Sequence, residues 1–285
     1  MTAQVGIIGV GLIGASVGKR ARAAGLRVVG FDVSALHLQD ALACGALDEA
    51  YADERAVADG CETLAIATPL DETVRLLRAF ALAPPRASLV LDVASVKSCV
   101  VQAARGLAGF VATHPIAGSE RGGPQAARAD LFTGRTWAYV PSSSPAADAR
   151  ARAFIEMTGA HAVAVDAAEH DRIVAATSHL PQLLSVALAS HLREALEDPT
   201  TRALSGSGLR SMIRLGASSW SMWRGILANN GAHAAQEARA LAAILSSIAE
   251  EAERGDASCL AARFAAAADA VRRLDATDSN SACVL

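Results

Sequence analysis

Near the start of the chain, Gly9-Val10-Gly11-Leu12-Ile13-Gly14 follows the apolar run Val5–Val10 and opens a stretch of helical character, Leu12–Ala24. A G-x-G-x-x-G string in that setting has few structural solutions. The first glycine permits a tight turn, the second lets a backbone approach a pyrophosphate, and the third lets helix and strand pack closely. The helix N-terminus then offers N–H groups and the positive end of its dipole to phosphates. A second apolar run, Arg27–Asp32, ends in an acid where a carboxylate would hydrogen-bond the hydroxyls of an adenine ribose. No Arg or Lys follows closely, so the carboxylate would repel a 2′-phosphate. The expectation is NAD held by Gly9, Gly11, Leu12, Ile13, Gly14 and Asp32, with Thr68 and Pro69 at the end of a later apolar run. The rival reading is a strand–turn–helix that binds nothing.

Short apolar runs continue at Thr63–Thr68, Ser88–Asp92 and Phe110–Thr113, with helical stretches near Asp71–Phe80 and Val96–Arg105. Such alternation implies βαβ units and a parallel sheet. Trp137–Val140 and His161–Val165 add two strands around a helix, Ala146–Thr158. From Ala167 onward the apolar residues recur at helical spacing, with breaks near Pro199, Gly206–Gly208, Gly231 and Gly255. The fold class is therefore α/β: a Rossmann-type, mostly parallel sheet domain over 1–166, then an all-helical domain over 167–285. Pro181 should kink the long helix after Asp166, because it lacks an N–H and clashes with the preceding turn. Trp220, Trp223, Ile226 and Leu227 read as a helix core stripe. The charges of Glu237–Arg254 read as a solvated face.

Composition excludes several classes. The chain has 285 residues, a formal net charge of −3, and 52% hydrophobic against 19% charged residues, which suits a compact globule. No basic stripe points to nucleic acid. No uninterrupted run of about 18 apolar residues points to a membrane span, and the N-terminus has no signal-peptide pattern. Cys44, Cys61, Cys99, Cys259 and Cys283 are scattered, odd in number and without metal spacing. Reduced thiols, a cytoplasmic location and no metal are the expectations.

Three segments carry more polar chemistry than scaffold needs. Asp92-Val93-Ala94-Ser95-Val96-Lys97 lies at a strand's carboxyl end, where ligands bind in open α/β sheets, although Ser95 could equally cap the next helix. Thr113-His114-Pro115-Ile116-Ala117-Gly118-Ser119-Glu120 also follows a buried strand, and an imidazole there could take a proton from an alcohol near neutral pH. The third is Glu169-His170-Asp171 with Ser178-His179-Leu180-Pro181-Gln182, followed by Arg210 and Arg214.

In this order, the N-terminal glycines, the 92–97 and 113–118 motifs, Ser-His-Leu-Pro at 178–181, and Arg214 with Trp223 resemble the prephenate/arogenate dehydrogenases (cyclohexadienyl dehydrogenases) of tyrosine biosynthesis, over nearly the whole chain. The resemblance implies NAD-dependent oxidation and decarboxylation of prephenate, or of its amino analogue arogenate, and a homodimer formed through the helical domain. It implies that His114 deprotonates the 4-hydroxyl, with Ser95 as its partner, and that Arg214 holds a substrate carboxylate. It further implies that Glu120 and Arg210 gate the cleft and that His179 and Gln182 line the substrate pocket. Gln182 stands where many relatives carry a second His, which leaves the choice between prephenate and arogenate open. Ser211 and Trp220-Ser221 also depart from the family pattern. A 4-amino-4-deoxyprephenate enzyme is a further alternative. So is a β-hydroxyacid dehydrogenase or imine reductase, but those usually rely on a Lys in the helical half, and Lys19 and Lys97 are the only lysines here. A non-catalytic NAD-binding protein would have no reason to carry His114, Ser95 and Arg214 together.

Overall fold

The computed structural model describes residues 4–119 and 121–281. The chain divides into two compact units, Met1–Val174 with Ser219–Asn230, and Ala175–Ser218 with Gly231–Leu285.

The first unit is built on six parallel strands: β1 (Gln4–Ile8), β2 (Arg27–Phe31), β3 (Glu49–Ala50), β4 (Thr63–Ile66), β5 (Leu89–Asp92) and β6 (Phe110–Val111). Their order, β3-β2-β1-β4-β5-β6, reverses direction of growth between β1 and β4. Ligands bind outside the strand ends at such a switch point. Residues alternate between the faces of a strand. Val5, Ile7, Val28, Ala65, Leu89 and Leu91 join one core cluster, whereas Ile8, Val29, Leu64, Ile66 and Val90 join the other. Both faces are covered, so the strands read as continuous apolar runs rather than alternating ones. Helices α1 (Leu12–Ala23) and α2 (Ala35–Ala43) pack on the first face. The short α3 (Glu54–Asp59), α4 (Leu70–Leu82) and α5 (Ser98–Ala103) pack on the second. The two-residue β3 and the six-residue α3 have no counterpart in the sequence reading. They are too short to show a period, and α3 is fixed by Asp53, whose carboxylate caps the Ala56 N–H at 2.7 Å.

The run Phe110–Thr113, expected as one strand, divides at Ala112. Beyond it β7 (Thr113–Pro115) belongs to a separate three-stranded sheet with β8 (Thr136–Tyr139) and β9 (His161–Ala164), in the order β7-β8-β9. β7 runs antiparallel to β8, and β8 parallel to β9. The division follows from the partners of Thr113. Its N–H donates to Asp92 Oδ1 at 2.9 Å, its hydroxyl donates to the Asp92 carbonyl, and its own carbonyl accepts from Lys97 Nζ at 2.6 Å. Side chains at the end of β5 thus take over from the ladder, and the strand turns away to pair with β8. Helix α6 (Pro145–Met157) connects β8 to β9, and its Phe154 and Ile155 close the first core.

Two later segments complete this unit: α7 (Ala167–Val174), and residues 219–230 at the start of a long helix, where Ile226 is buried and Trp223 packs on the second core. Of the expected tryptophan stripe, Trp220 is instead 67% exposed.

The second unit is helical. A single π-helical turn, Ala175–His179, precedes α8 (Leu180–His191), with Pro181 in the first turn of α8. The disturbance expected at Pro181 therefore takes the form of a wider turn before it, which accommodates a ring that cannot donate an N–H. α9 (Pro199–Leu204) starts at a proline capped by Asp198, and α10 (Ser207–Ile213) starts after Gly206. The long helix α11 (Trp220–Glu253) leaves helical geometry at Asn230, with φ −130° and ψ 15°, one residue before the expected break. Gly255, at φ +66°, separates it from α12 (Ala257–Ser281). The charges of Glu237–Arg254 are not all solvated, because Glu251 is buried and accepts two 2.7 Å hydrogen bonds from Arg263. The helical run 167–191 is long and apolar enough to cross a bilayer by length and composition. Its His170, Asp171, Gln182 and Ser185 are nevertheless buried and hydrogen-bonded within the protein.

Candidate functional site

The glycine loop lies at the carboxyl end of β1. Gly9 adopts φ +89°, a conformation that a side chain would strain, and its N–H donates to the Phe31 carbonyl at the end of β2. A Cβ on Gly14 would stand 2.0 Å from the Gly9 carbonyl oxygen, so only glycine lets α1 begin so close to the loop. A Cβ on Gly11 would meet nothing within 4 Å. Gly11 is therefore not required by packing, and the open space beside it is what a pyrophosphate needs. Leu12 and Ile13 form the first turn of α1, whose N-terminus no side chain caps among the described residues. Its amide groups point to the same space.

Asp32 Oδ2 accepts from the Val10 N–H at 2.9 Å, and Oδ1 accepts from the Ser34 N–H at 2.8 Å. The carboxylate thus ties the glycine loop to the end of β2 and keeps a further lone pair on each oxygen for ribose hydroxyls. Asp32, Gly9 and Gly11 line a cavity of about 420 Å³ together with Thr68 and Pro69 from the end of β4. The Thr73 hydroxyl donates to the Thr68 carbonyl at 3.0 Å and holds this turn at the start of α4. An anion-binding helix end, an open approach at Gly11 and a carboxylate at the far side fit a dinucleotide.

A second group in the same unit is a chain of three side chains. His114 is half-buried on β7, opposite Ala138 of β8. Its Nδ1 lies 2.9 Å from His170 Nε2, with the rings edge to face at 5.1 Å between centroids. His170 Nδ1 lies 2.9 Å from Asp171 Oδ1. The Asp171 carboxylate also accepts the Lys97 N–H at 2.7 Å and the Ser98 N–H at 2.8 Å, which are the first amides of α5. Burial opposes ionisation of Asp171, yet the hydrogen bonds from His170 and from the Lys97 and Ser98 amides outweigh it and pull the carboxyl down to about 2. An ionised Asp171 can only accept, and this fixes the direction of the whole chain. His170 carries its proton on Nδ1 and accepts at Nε2; His114 then carries its proton on Nδ1, leaving Nε2 as the basic nitrogen. The arrangement extends the logic of a carboxylate-oriented histidine base by one imidazole.

Lys97, expected only as part of a strand-end motif, is fully buried. Its ammonium lies 2.5 Å from Asp92 Oδ2. Burial pulls its pKa below the usual lysine value, against the Asp92 carboxylate that favours the charge. The pair joins β5 to β7 and so fixes the strand that carries His114. Ser95 is half-buried in the turn before α5 and does not cap that helix. Asp171 performs that task, and His170 contacts the His114 ring. His170 and Asp171 were visible in the sequence as adjacent polar residues on a helix; their contact with His114 was not.

In the second unit, Arg214 opens a short 3-10 turn, Arg214–Ala217. Gln182 braces it: Nε2 donates to the Leu215 carbonyl at 2.8 Å, and Oε1 accepts from the Ser218 hydroxyl at 3.3 Å. The Ser185 hydroxyl accepts from the Gly216 N–H at 2.8 Å. Gln182 thus bonds the arginine's turn through both ends of its amide, which keeps one further N–H and one further lone pair. His179 is buried at the end of the π-helical turn, and Arg210 is exposed in the last turn of α10. Glu120 lies outside the described residues. Among the described residues no group of three His, Cys, Asp or Glu side chains is placed to hold a metal ion.

The sequence matches the model of a prephenate dehydrogenase nucleotide-binding domain over residues 17–164, and that of a prephenate dehydrogenase dimerization domain over 166–266. A probable prephenate dehydrogenase, NovF, from Streptomyces niveus is 34% identical over 86% of this chain and 67% of its own. The prephenate dehydrogenase of Bacillus subtilis is 30% identical over 79% of this chain, which spans 63% of that relative's length. Among solved structures, the arogenate dehydrogenase of Synechocystis superposes with a TM-score of 0.77 at 25% identity, covering 95% of this chain and 99% of that one. The two matched domains, in this order and over these residues, assign the chain: it belongs to the prephenate dehydrogenase family.

Proposed function

We propose that this protein is an NAD-dependent dehydrogenase that oxidises and decarboxylates prephenate to 4-hydroxyphenylpyruvate, working as a homodimer through its helical domain. The observation that carries the reading is the chain from Asp171 through His170 to His114, which fixes a basic imidazole nitrogen in the unit that holds the dinucleotide cavity. NAD, when bound, accepts the hydride from the carbinol carbon. His114 takes the proton of the 4-hydroxyl at Nε2, and the positive charge gained by the imidazole pair is balanced by Asp171. Loss of the ring carboxylate as CO₂ leaves an aromatic ring, whose oxygen recovers the proton from His114. Arg214, on the turn braced by Gln182 and Ser185, offers a planar fork to a substrate carboxylate. Ser95 sits at the carboxyl end of β5, on the side expected for substrate and nicotinamide.

Arogenate is the second reading, and Gln182 favours keeping it. Its amide holds the Arg214 turn through one N–H and one lone pair, and the neutral donor and acceptor that remain suit a keto or an amino side chain alike. The test is NADH formation by the purified protein with prephenate and with arogenate, for the wild type and His114→Asn. Turnover of prephenate, lowered about 10²–10⁴-fold in the variant while NADH still binds, is the expected result. Turnover of arogenate alone moves the substrate to the amino analogue, and an unimpaired variant removes His114 from the chemistry.

A further inference from the structure

The cavity that takes the dinucleotide is bounded on its outer side by residues that the glycine motif does not include. Glu54 from α3 and Glu72 and Arg75 from α4 line it together with Asp32 and His37. Arg75 is the only arginine among the lining residues, and it is engaged by both glutamates. Its Nε lies 2.9 Å from both Glu72 carboxylate oxygens, and its second terminal nitrogen lies 2.5 Å from Glu72 and 2.9 Å from Glu54. Two carboxylates thus hold one guanidinium, in a cavity that Asp32 also lines. His37 Nδ1 stands 3.7 Å from Asp32 Oδ1.

An arginine beside an adenosine pocket is the usual means of receiving a 2′-phosphate, because its fork matches phosphate oxygens. Here one edge of the fork, Nε and a terminal nitrogen, is already occupied, and the residues occupying it carry the same sign of charge as a phosphate. Discrimination of this kind rests on a repulsive element and an occupied donor, not on added contacts to the favoured ligand. We infer that Glu54 and Glu72 sequester Arg75 and thereby make the adenosine end of the cleft reject 2′-phosphorylated dinucleotides, beyond what Asp32 alone achieves. The inference rests on the reading that this cavity takes a dinucleotide.

The experiment titrates the full chain with NADH and with NADPH, followed by nicotinamide fluorescence, so the readout is binding and not turnover. It compares the wild type, Glu54→Gln/Glu72→Gln, and the same double variant with Arg75→Ala added. All three groups are partly exposed, and circular dichroism checks that each variant folds. The ratio of the NADPH to the NADH dissociation constant should fall at least about tenfold in the double variant, as the freed arginine gains a charge-assisted hydrogen bond, and return toward the wild-type ratio in the triple variant. A double-variant ratio within about threefold of wild type overturns the inference. So does an equal fall in the triple variant, which would show that the arginine takes no part. A wild-type chain that binds neither dinucleotide overturns the NAD reading and this inference with it.

Discussion

Asp171→Asn tests the site where its geometry is most specific. The native carboxylate is 2% exposed and accepts three hydrogen bonds, from His170 and from two amides of α5. Its fall from the ordinary 3.8 to about 2 corresponds to roughly 2 kcal/mol of folding free energy. The sign follows from the direction of the shift. The contribution is complete above the unfolded pKa and is lost as pH falls from 3.8 toward 2. An asparagine keeps one oxygen but turns an NH₂ toward one of its three donors. The variant should lose about 2–4 kcal/mol, and a Tm drop of about 4–15 °C would follow for a unit of this size. It should also lose the pH sensitivity of stability in that acid window. Its catalytic effect is separate. Without an obligate acceptor, His170 can reverse its tautomer and present an N–H to His114, which then loses its basic Nε2. In a triad where the acid touches the base directly, such a change costs about 10⁴ in kcat; with an imidazole intervening, about 10²–10³ is expected. The assay is NADH formation with saturating substrate across pH, alongside thermal unfolding. A lowered Tm with kcat within about threefold of wild type at every pH would refute the orienting role and leave Asp171 only as the cap of α5.

Other outcomes follow from the glycine loop and from the buried ion pair. Gly11→Ala should fold normally and lose at least about tenfold in NADH affinity, since the added methyl meets only the space assigned to the pyrophosphate. Gly14→Ala should lose stability as well, because its methyl would meet the Gly9 carbonyl at 2.0 Å; urea unfolding separates the two. Lys97→Met should cost about 3–5 kcal/mol in the same assay by leaving Asp92 buried without its partner, and Asp92→Asn added to it should recover part of the loss.

How much of this was legible in the sequence depends on the distance over which each feature is determined. The glycine loop and Asp32 are local, and their spacing alone placed them around one cavity. His114 could be chosen because a polar residue after a buried strand stands at the sheet's ligand-binding edge. Its partnership with His170 joins residues 56 positions apart, and nothing in the residue pattern fixes that contact. The same holds for the departure of β7 from the main sheet. An apolar run records that a strand is buried, not which strand it pairs with; the cause is Thr113 bonding to Asp92, 21 positions earlier. The bond from Gln182 to Leu215, 33 positions on, is likewise not legible in the residue pattern. No Arg or Lys closely follows Asp32 along the chain, whereas Arg75 reaches the cavity from another helix.

The cap on α5 has a consequence for how the protein is made. Its first amides find their acceptor 73 and 74 residues downstream, and Ile226 fills the second core of the sheet from later still. During synthesis the N-terminal strands leave the ribosome first. A nascent chain that ends near residue 165, where the two family domains meet, would hold every strand of the sheet with a frayed helix and an open apolar face. The compact unit built on the sheet thus closes only with residues 219–230, beyond the point where the two family domains meet.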